Sequence, residues 1–241
     1  ALITGGGTGL GLGIARAMVD AGSKVVLVGR TEATLIAATG ELGDAARYEV
    51  HNVTDTQAAP RLIERARAHF DGLSILVNNA GVHLRKPAVV TTEAELLEVF
   101  NTHVTGAHAL CRHIVAGLLD RGRGSIVFVA SMASLIGVPQ VLAYSVAKSA
   151  YLGMIRTLAV ELSPHNIRIN GIAPGWIESR MMRKALKDDP QRHNRILDRT
   201  PLHRFGEPAD IGAAAVYLSS PAARFVTGVL LPVDGGLSIG F

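Results

Sequence analysis

A doubly wound α/β architecture on a parallel sheet is what the sequence predicts, on three observations. Short β-branched runs alternate with helix-length segments along the whole chain. A glycine-rich turn joins the first apolar run to the first helical one. Of the 241 residues, 48% are hydrophobic and 18% charged, yet no apolar stretch reaches the roughly 18 residues of a membrane span. That length suits one hydrophobic core, and no Pro- or Ser-rich linker divides it, so a single domain over 1–241 is expected.

Taken in order, the apolar run Ala1-Leu2-Ile3 reads as the first strand. Over residues 10–21, Leu10, Ile14, Ala17, Met18 and Ala21 recur at three- and four-residue steps, which makes one apolar stripe on a helix. Residues 24–28, 45–50, 73–77, 125–130 and 167–172 read as further strands, each flanked by a helical segment. Right-handed crossovers set such strands side by side with helices on both faces. The irregular stretch 176–204 reads as an insertion carrying a helix or two, a segment suited to covering a substrate in a cleft.

Composition removes several classes. The net charge is +4, from 24 Lys+Arg against 20 Asp+Glu. The basic stretches 180–187 and 192–204 are interrupted or followed by Asp188, Asp189, Asp198 and by apolar residues, unlike an arm that tracks phosphates, so no nucleic-acid partner is expected. No membrane partner is expected either. The one cysteine, Cys111, has no internal partner and reads as a packed thiol; no His/Cys cluster has zinc spacing, so no metal is expected and the cytoplasm is the default compartment. The chain opens at Ala1 with no initiating residue, which predicts a short preceding leader.

Thr4-Gly5-Gly6-Gly7-Thr8-Gly9-Leu10-Gly11 follows the first strand and opens the first helix. Glycine removes the Cβ that would block a close turn, so amide N–H groups and the helix N-terminus can face a pyrophosphate. That placement makes the fold Rossmann-type and the ligand a dinucleotide; a glycine-rich turn without a ligand is the alternative. After the second strand comes Gly29-Arg30-Thr31, with no carboxylate to hold the adenosine ribose of NAD. Arg30 offers a guanidinium to a 2′-phosphate instead, which favours NADP and leaves NAD open, unless Arg30 is simply solvated. His51-Asn52-Val53 and Asn78-Asn79-Ala80-Gly81 close the next two strands, at the edge where ligands bind.

Tyr144 and Lys148 stand four residues apart in a helical stretch and share a face. An ammonium beside a phenol stabilises the phenolate, so Tyr144 can serve as acid or base for an alcohol and its ketone. Ser131, just after a strand, can orient the same oxygen, and Lys148 can also hold a nicotinamide ribose.

These motifs together resemble the short-chain dehydrogenase/reductase family: Thr4-Gly5 with Gly9-Leu10-Gly11, Asn78-Asn79-Ala80-Gly81, Ser131, Tyr144-Ser145-Val146-Ala147-Lys148, Pro174-Gly175, and Asp234-Gly235-Gly236 near the end. The resemblance implies an NAD(P)-dependent oxidoreductase in which Tyr144 exchanges the proton, Ser131 orients the oxygen, and Lys148 binds ribose and tunes Tyr144. It assigns Gly5, Thr8, Gly9, Leu10 and Gly11 to the pyrophosphate turn, Asn52 and Val53 to adenine, and Asn79, Ala80 and Gly81 to the strand end beside the cofactor. Pro174, Gly175, Ile177 and Ser179 are assigned to the nicotinamide end. One position departs from the family's pattern: His103 stands three residues before Gly106 where an asparagine of the proton relay is usual, and Asn101 falls two residues too early. His103 either replaces it in the relay or merely packs.

For the substrate, Ser131, Arg85, Gln140, Trp176 and Arg180 are candidates, with Ser134, Val138 and Met181 on the far side of the cleft. The Arg85-Lys86 pair and the run Ile196 to Pro201 resemble the family's gluconate and ketogluconate dehydrogenases, implying a sugar acid or polyol. A 3-oxoacyl thioester reductase and a non-catalytic dinucleotide-binding regulator are the other readings. The resemblance also implies a homotetramer, built on the helices around 103–119 and 143–161 and the region 225–241.

Overall fold

Each strand of the sheet sends alternate side chains to opposite faces, and two hydrophobic clusters form on those faces. The computed structural model describes residues 1–179, 182, 186 and 189–240. Its strands are β1 (Leu2–Thr4), β2 (Val25–Gly29), β3 (Ala46–Val50), β4 (Ile75–Asn78), β5 (Gly124–Val129), β6 (Ile167–Pro174) and β7 (Leu230–Val233). The main helices are α1 (Gly9–Asp20), α2 (Glu32–Leu42), α3 (Ala59–Ala68), α4 (Glu93–Phe100), α5 (Gly106–Arg121), α6 (Leu142–Leu162), α7 (Pro190–Arg199) and α8 (Pro208–Ser219). Leu2, Val26, Val28, Leu76, Ile126 and Phe128 face α3, α5 and α6. Their neighbours Ile3, Val25, Leu27, Val77, Val127 and Val129 face α1, α2 and α8.

The seven strands run parallel in the order β3-β2-β1-β4-β5-β6-β7. From β1 the chain winds outward to β3, then returns across β1 to lay down β4 on its other side. The crevice between the carboxyl ends of β1 and β4 is therefore the switch point at which such sheets bind ligands. The side chain of Thr4 closes it: its hydroxyl accepts hydrogen bonds from the backbone N–H of Asn79 and of Ala80, both at 2.9 Å.

The fold is the Rossmann-type single domain expected, with small differences. Strands expected at 24–28, 73–77 and 125–130 are shifted by one or two residues at their ends. On α1, Ile14, Ala15 and Met18 are buried while Ala21 is exposed, because Ala21 caps the helix instead of extending it. The insertion 176–204 contains α7, and Met182, Leu186 and Ile196 form a small cluster of their own against Trp176 and Phe205. Between α4 and α5, residues Asn101–Thr105 make a π-helical turn. Such turns interrupt a helix chiefly where function requires a side chain to be re-aimed. Among the described residues no helix is long and apolar enough to cross a membrane, and none form a cluster able to hold a metal ion.

Candidate active site

The glycine turn is shaped to receive a ligand. Gly9 has φ +56°, a left-handed backbone that L side chains rarely adopt, and nothing lies within 4 Å of where its Cβ would stand. At Gly11, by contrast, a Cβ would run into the Gly5 carbonyl, so only glycine lets α1 start this close to β1. Thr8 is extended and caps α1 without a side-chain hydrogen bond, and the first turn carries no acidic residue. The helix thus presents free N–H groups and its positive dipole end to an open cradle, the chemistry that fits a pyrophosphate. Leu10 is half-buried beside it.

The other residues expected around a dinucleotide follow the carboxyl edge. Arg30 is exposed after β2, and no ion pair engages it among the described residues. Asn52 is exposed; its carbonyl oxygen accepts the Thr54 N–H at 3.2 Å, leaving its amide N–H groups free, while Val53 is buried beside it. Asn79 serves the turn itself: Nδ2 donates to the carbonyls of Thr4 (2.9 Å) and Gly5 (3.3 Å). Ala80 is half-buried and Gly81 exposed. Pro174 ends β6, and the Gly175 N–H donates to the Val233 carbonyl at 3.1 Å. Ile177 is buried and bridges to Gly206, and the Ser179 hydroxyl accepts the Met182 N–H at 3.0 Å.

Ser131 begins a short 3₁₀ turn after β5 and is 8% exposed. Its Oγ accepts the Ala133 N–H at 3.1 Å, which leaves its own proton to donate. Tyr144, half-buried on α6, lies close enough to Ser131 for that hydroxyl to pull the phenol's pKa down. One turn along, Lys148 is buried; its Nζ donates to the Val129 carbonyl at 2.5 Å and lies 5.7 Å from the centre of the Tyr144 ring. The serine, the phenol and the ammonium thus meet beside the ends of β5 and α6.

The electrostatics differ from the expectation in one respect. Lys148 was expected to lower the Tyr144 pKa, but burial pushes the phenol up, and only the Ser131 hydroxyl pulls it back. Burial also brings Lys148 down to about 7, so much of its charge is lost near neutrality.

His103 sits in the π-helical turn, 1% exposed. Nε2 meets the Val82 carbonyl at 2.8 Å, and Nδ1 is buried with no hydrogen-bond partner among the described residues. Burial foremost, then the Lys148 charge, hold its pKa at about 3, which keeps the ring neutral. The ring stands edge-on to Tyr144, centroids 5.6 Å apart. Its backbone carbonyl is taken by the Tyr151 hydroxyl at 2.9 Å. Asn101 faces outward, accepting the Thr105 hydroxyl.

The substrate candidates fall into two groups. Arg85 Nε donates to Gln140 Oε1 at 3.0 Å, and Trp176 packs in the insertion against Met182, Leu186 and Ile196. Lys86, expected to act with Arg85, is instead ion-paired to Glu95 through hydrogen bonds of 2.8 and 2.9 Å. Ser134 and Val138 are half-buried nearby; Arg180 and Met181 lie outside the described residues. Two residues near the site had no role in the sequence reading. Tyr151 could have been found, since 144, 148 and 151 share one face of α6 at four- and three-residue steps. Arg192 could not, because nothing in the composition of the insertion says which way α7 lies. Cys111 is buried, and burial pushes its thiol up to about 12, as befits a packed side chain.

Known proteins match this arrangement along its whole length. A family profile described as "Enoyl-(Acyl carrier protein) reductase" matches residues 5–238. The galactitol 2-dehydrogenase (L-tagatose-forming) of Cereibacter sphaeroides is 38% identical over 99% of this chain and 94% of its own. The 2-dehydro-3-deoxy-D-gluconate 5-dehydrogenase of Dickeya dadantii is 36% identical over 98% of this chain and 94% of its own. Among solved structures, a gluconate 5-dehydrogenase from Burkholderia cenocepacia, in complex with NADP and tartrate, superposes with a TM-score of 0.93 at 30% identity, covering 100% of this chain and 95% of that one. Sequence, fold and relatives agree, and the chain belongs to the short-chain dehydrogenase/reductase family of NAD(P)-dependent enzymes.

Proposed function

We propose that the protein interconverts a secondary alcohol and a ketone on a sugar acid or polyol, with NADP as cofactor. The observation that carries this reading is the grouping of Ser131 and Tyr144 with a buried Lys148, whose Nζ lies 5.7 Å from the centre of the phenol ring. A bound nicotinamide supplies or takes the hydride. In the direction of reduction, Tyr144 Oη gives its proton to the substrate oxygen as the carbonyl becomes an alcohol. Ser131, whose hydroxyl hydrogen is not spent on the Ala133 bond, donates to that oxygen and fixes its position. In its protonated form Lys148 keeps two of its three hydrogens after bonding Val129, enough for ribose hydroxyls. Gly5, Thr8, Gly9, Leu10 and Gly11 receive the pyrophosphate, Asn52 and Val53 the adenine, and Ala80, Gly81, Pro174, Gly175, Ile177 and Ser179 flank the nicotinamide. The segment 176–204 covers the substrate.

NADP is favoured over NAD because the exposed Arg30 has no ion pair among the described residues and no carboxylate stands at the end of β2. The Burkholderia relative was solved with NADP. Steady-state assays with both cofactors on sugar acids, polyols and 3-oxoacyl thioesters test the reading. NADPH is expected to win, and Arg30→Ala should cut that preference about tenfold or more, the worth of one charged hydrogen bond. A wild-type preference for NADH would remove the NADP assignment, and turnover of thioesters alone would remove the sugar substrate.

A homotetramer is proposed with it. Val160 on α6, Phe225 before β7 and Ile239 near the end are 79%, 101% and 80% exposed, large apolar surfaces that suit burial against other subunits. Light scattering should give four times the chain mass; a monomer would end this proposal.

A further inference from the structure

We propose that Arg85 and Arg192 form a two-sided carboxylate site at the mouth of the cleft, so that the substrate is a sugar acid gripped by its anionic end and not a neutral polyol. The proposal rests on the alcohol–ketone reading above and names the substrate class for the same site.

One side is the loop after β4. The Lys86 N–H donates to the Gln140 carbonyl at 2.8 Å, and Lys86 bridges to Val141, so this loop is pinned to the segment leading into α6. Gln140 adopts φ 65° without being glycine, a strained backbone that persists only where its surroundings hold it. What the strain accompanies is a placed side chain: Gln140 Oε1 takes Arg85 Nε, and among the described residues nothing engages the two outer nitrogens of the guanidinium. On the same loop the His83 ring packs against the Tyr144 ring, centroids 4.9 Å apart, so the loop borders the reacting phenol.

The other side is the first turn of α7. Asp189 caps that helix by accepting the Arg192 N–H at 3.0 Å, and the Arg192 guanidinium lies over the ring of Trp176, 5.5 Å from its centre. Stacking of this kind holds the planar fork in place while leaving its edge donors free. The charges of Arg85 and Arg192 both reach His83, and each other. Elsewhere on the surface, cations find carboxylates: Arg16 with Glu41, Arg65 with Glu49, Lys86 with Glu95, Arg204 with Asp210. Arg85 and Arg192 have no such partner among the described residues. Asp189, the cap of α7, offsets part of the Arg192 charge, yet Arg85 and Arg192 still repel each other, and a carboxylate between them relieves that repulsion while taking parallel N–H bonds from a guanidinium edge.

Trp176 is the single tryptophan of the chain, so its emission reports on Arg192. The experiment titrates D-gluconate and galactitol, a charged and an uncharged six-carbon probe, into the full-length Tyr144→Phe variant saturated with NADP, and follows Trp176 fluorescence. Gluconate is expected to give a saturable change that weakens with added salt, and galactitol none. Arg85→Gln and Arg192→Gln, each added to that background, are expected to weaken gluconate binding about tenfold or more, and Arg192→Lys to weaken it less. In the otherwise wild-type enzyme, Arg192→Gln should lower the ratio of gluconate to galactitol kcat/KM by a similar factor. Equal responses to both probes, no response to gluconate, or full affinity in both glutamine variants would overturn the carboxylate site. If gluconate binds as expected but the wild-type enzyme oxidises no alcohol in the panel, the alcohol–ketone reading falls and the site stands. If alcohols turn over while the probes behave alike, the site falls and the reading stands.

Discussion

Tyr144→Phe should lower kcat by roughly 10²- to 10⁴-fold, the worth of a positioned acid–base group, while leaving NADPH affinity and folding nearly unchanged. Tyr144 is half-buried, and Ser131 beside it keeps the Ala133 N–H as a partner when the phenol hydroxyl is removed, so little structure depends on that hydroxyl. The pH dependence follows from the direction of the shift. Burial raises the phenol's pKa, so the protonated form persists to higher pH. Carbonyl reduction, which needs the phenol, should hold through neutrality and fall only on the alkaline side; alcohol oxidation, which needs the phenolate, should rise there. The same profiles examine His103. Its ring is neutral over this range and helps keep the phenol dry, so His103→Asn is expected to admit water, lower the Tyr144 pKa and move the alkaline limb to lower pH. An unmoved limb would leave His103 as packing alone. Substantial turnover by Tyr144→Phe would take the acid–base role away from Tyr144.

What could be read in advance, and what could not, divides along the range of the forces involved. The unbroken apolar run Val25-Val26-Leu27-Val28 and the glycines at 5, 9 and 11 are local facts, and local facts decide which strands are buried on both faces and how the turn is shaped. The Tyr144/Lys148 spacing is also local, and the two side chains do share one face of α6. The sign of the Tyr144 shift was not legible, because it depends on how much water the surrounding loops exclude, and those loops come from residues 82–87 and 131–141. The π-helical turn at Asn101–Thr105 was equally hidden: no residue type requires it, and it buries His103 against Gly81, where a Cβ would strike the imidazole. β7 was missed for a related reason. It is a short, half-buried edge strand containing Pro232, a residue that weakens any strand pattern and is tolerated at a sheet edge. Arg192 reaches the cleft only through the packing of Met182, Leu186 and Ile196 against Trp176 and Phe205, contacts between segments distant in sequence.

Lys148→Met should abolish activity and yet make the protein more stable at neutral pH. The lysine is 3% exposed, and its pKa falls from about 10.4 in an unfolded chain to about 7 in the fold, with burial as the cause. A base whose folded pKa is depressed costs stability wherever the unfolded chain is protonated. Stability should therefore be lowest, and flat, below about pH 7, and should rise with pH toward the unfolded value, where the penalty vanishes. A shift of this size corresponds to a few kcal/mol. Against it stands the loss of the hydrogen bond to the Val129 carbonyl, worth about 1 kcal/mol with a further cost for the carbonyl left bare. The desolvation penalty is the larger, and methionine fills the same channel without a charge. Thermal unfolding of both proteins across neutral and alkaline pH should show the variant melting higher at neutrality, with the gap closing as pH rises. A lower Tm for Lys148→Met at neutral pH, or a gap that does not change with pH, would mean that the ammonium is better solvated than its burial implies. Conversely, a stabilised and inactive variant would identify the buried charge as a feature held at the expense of stability because the reaction requires it.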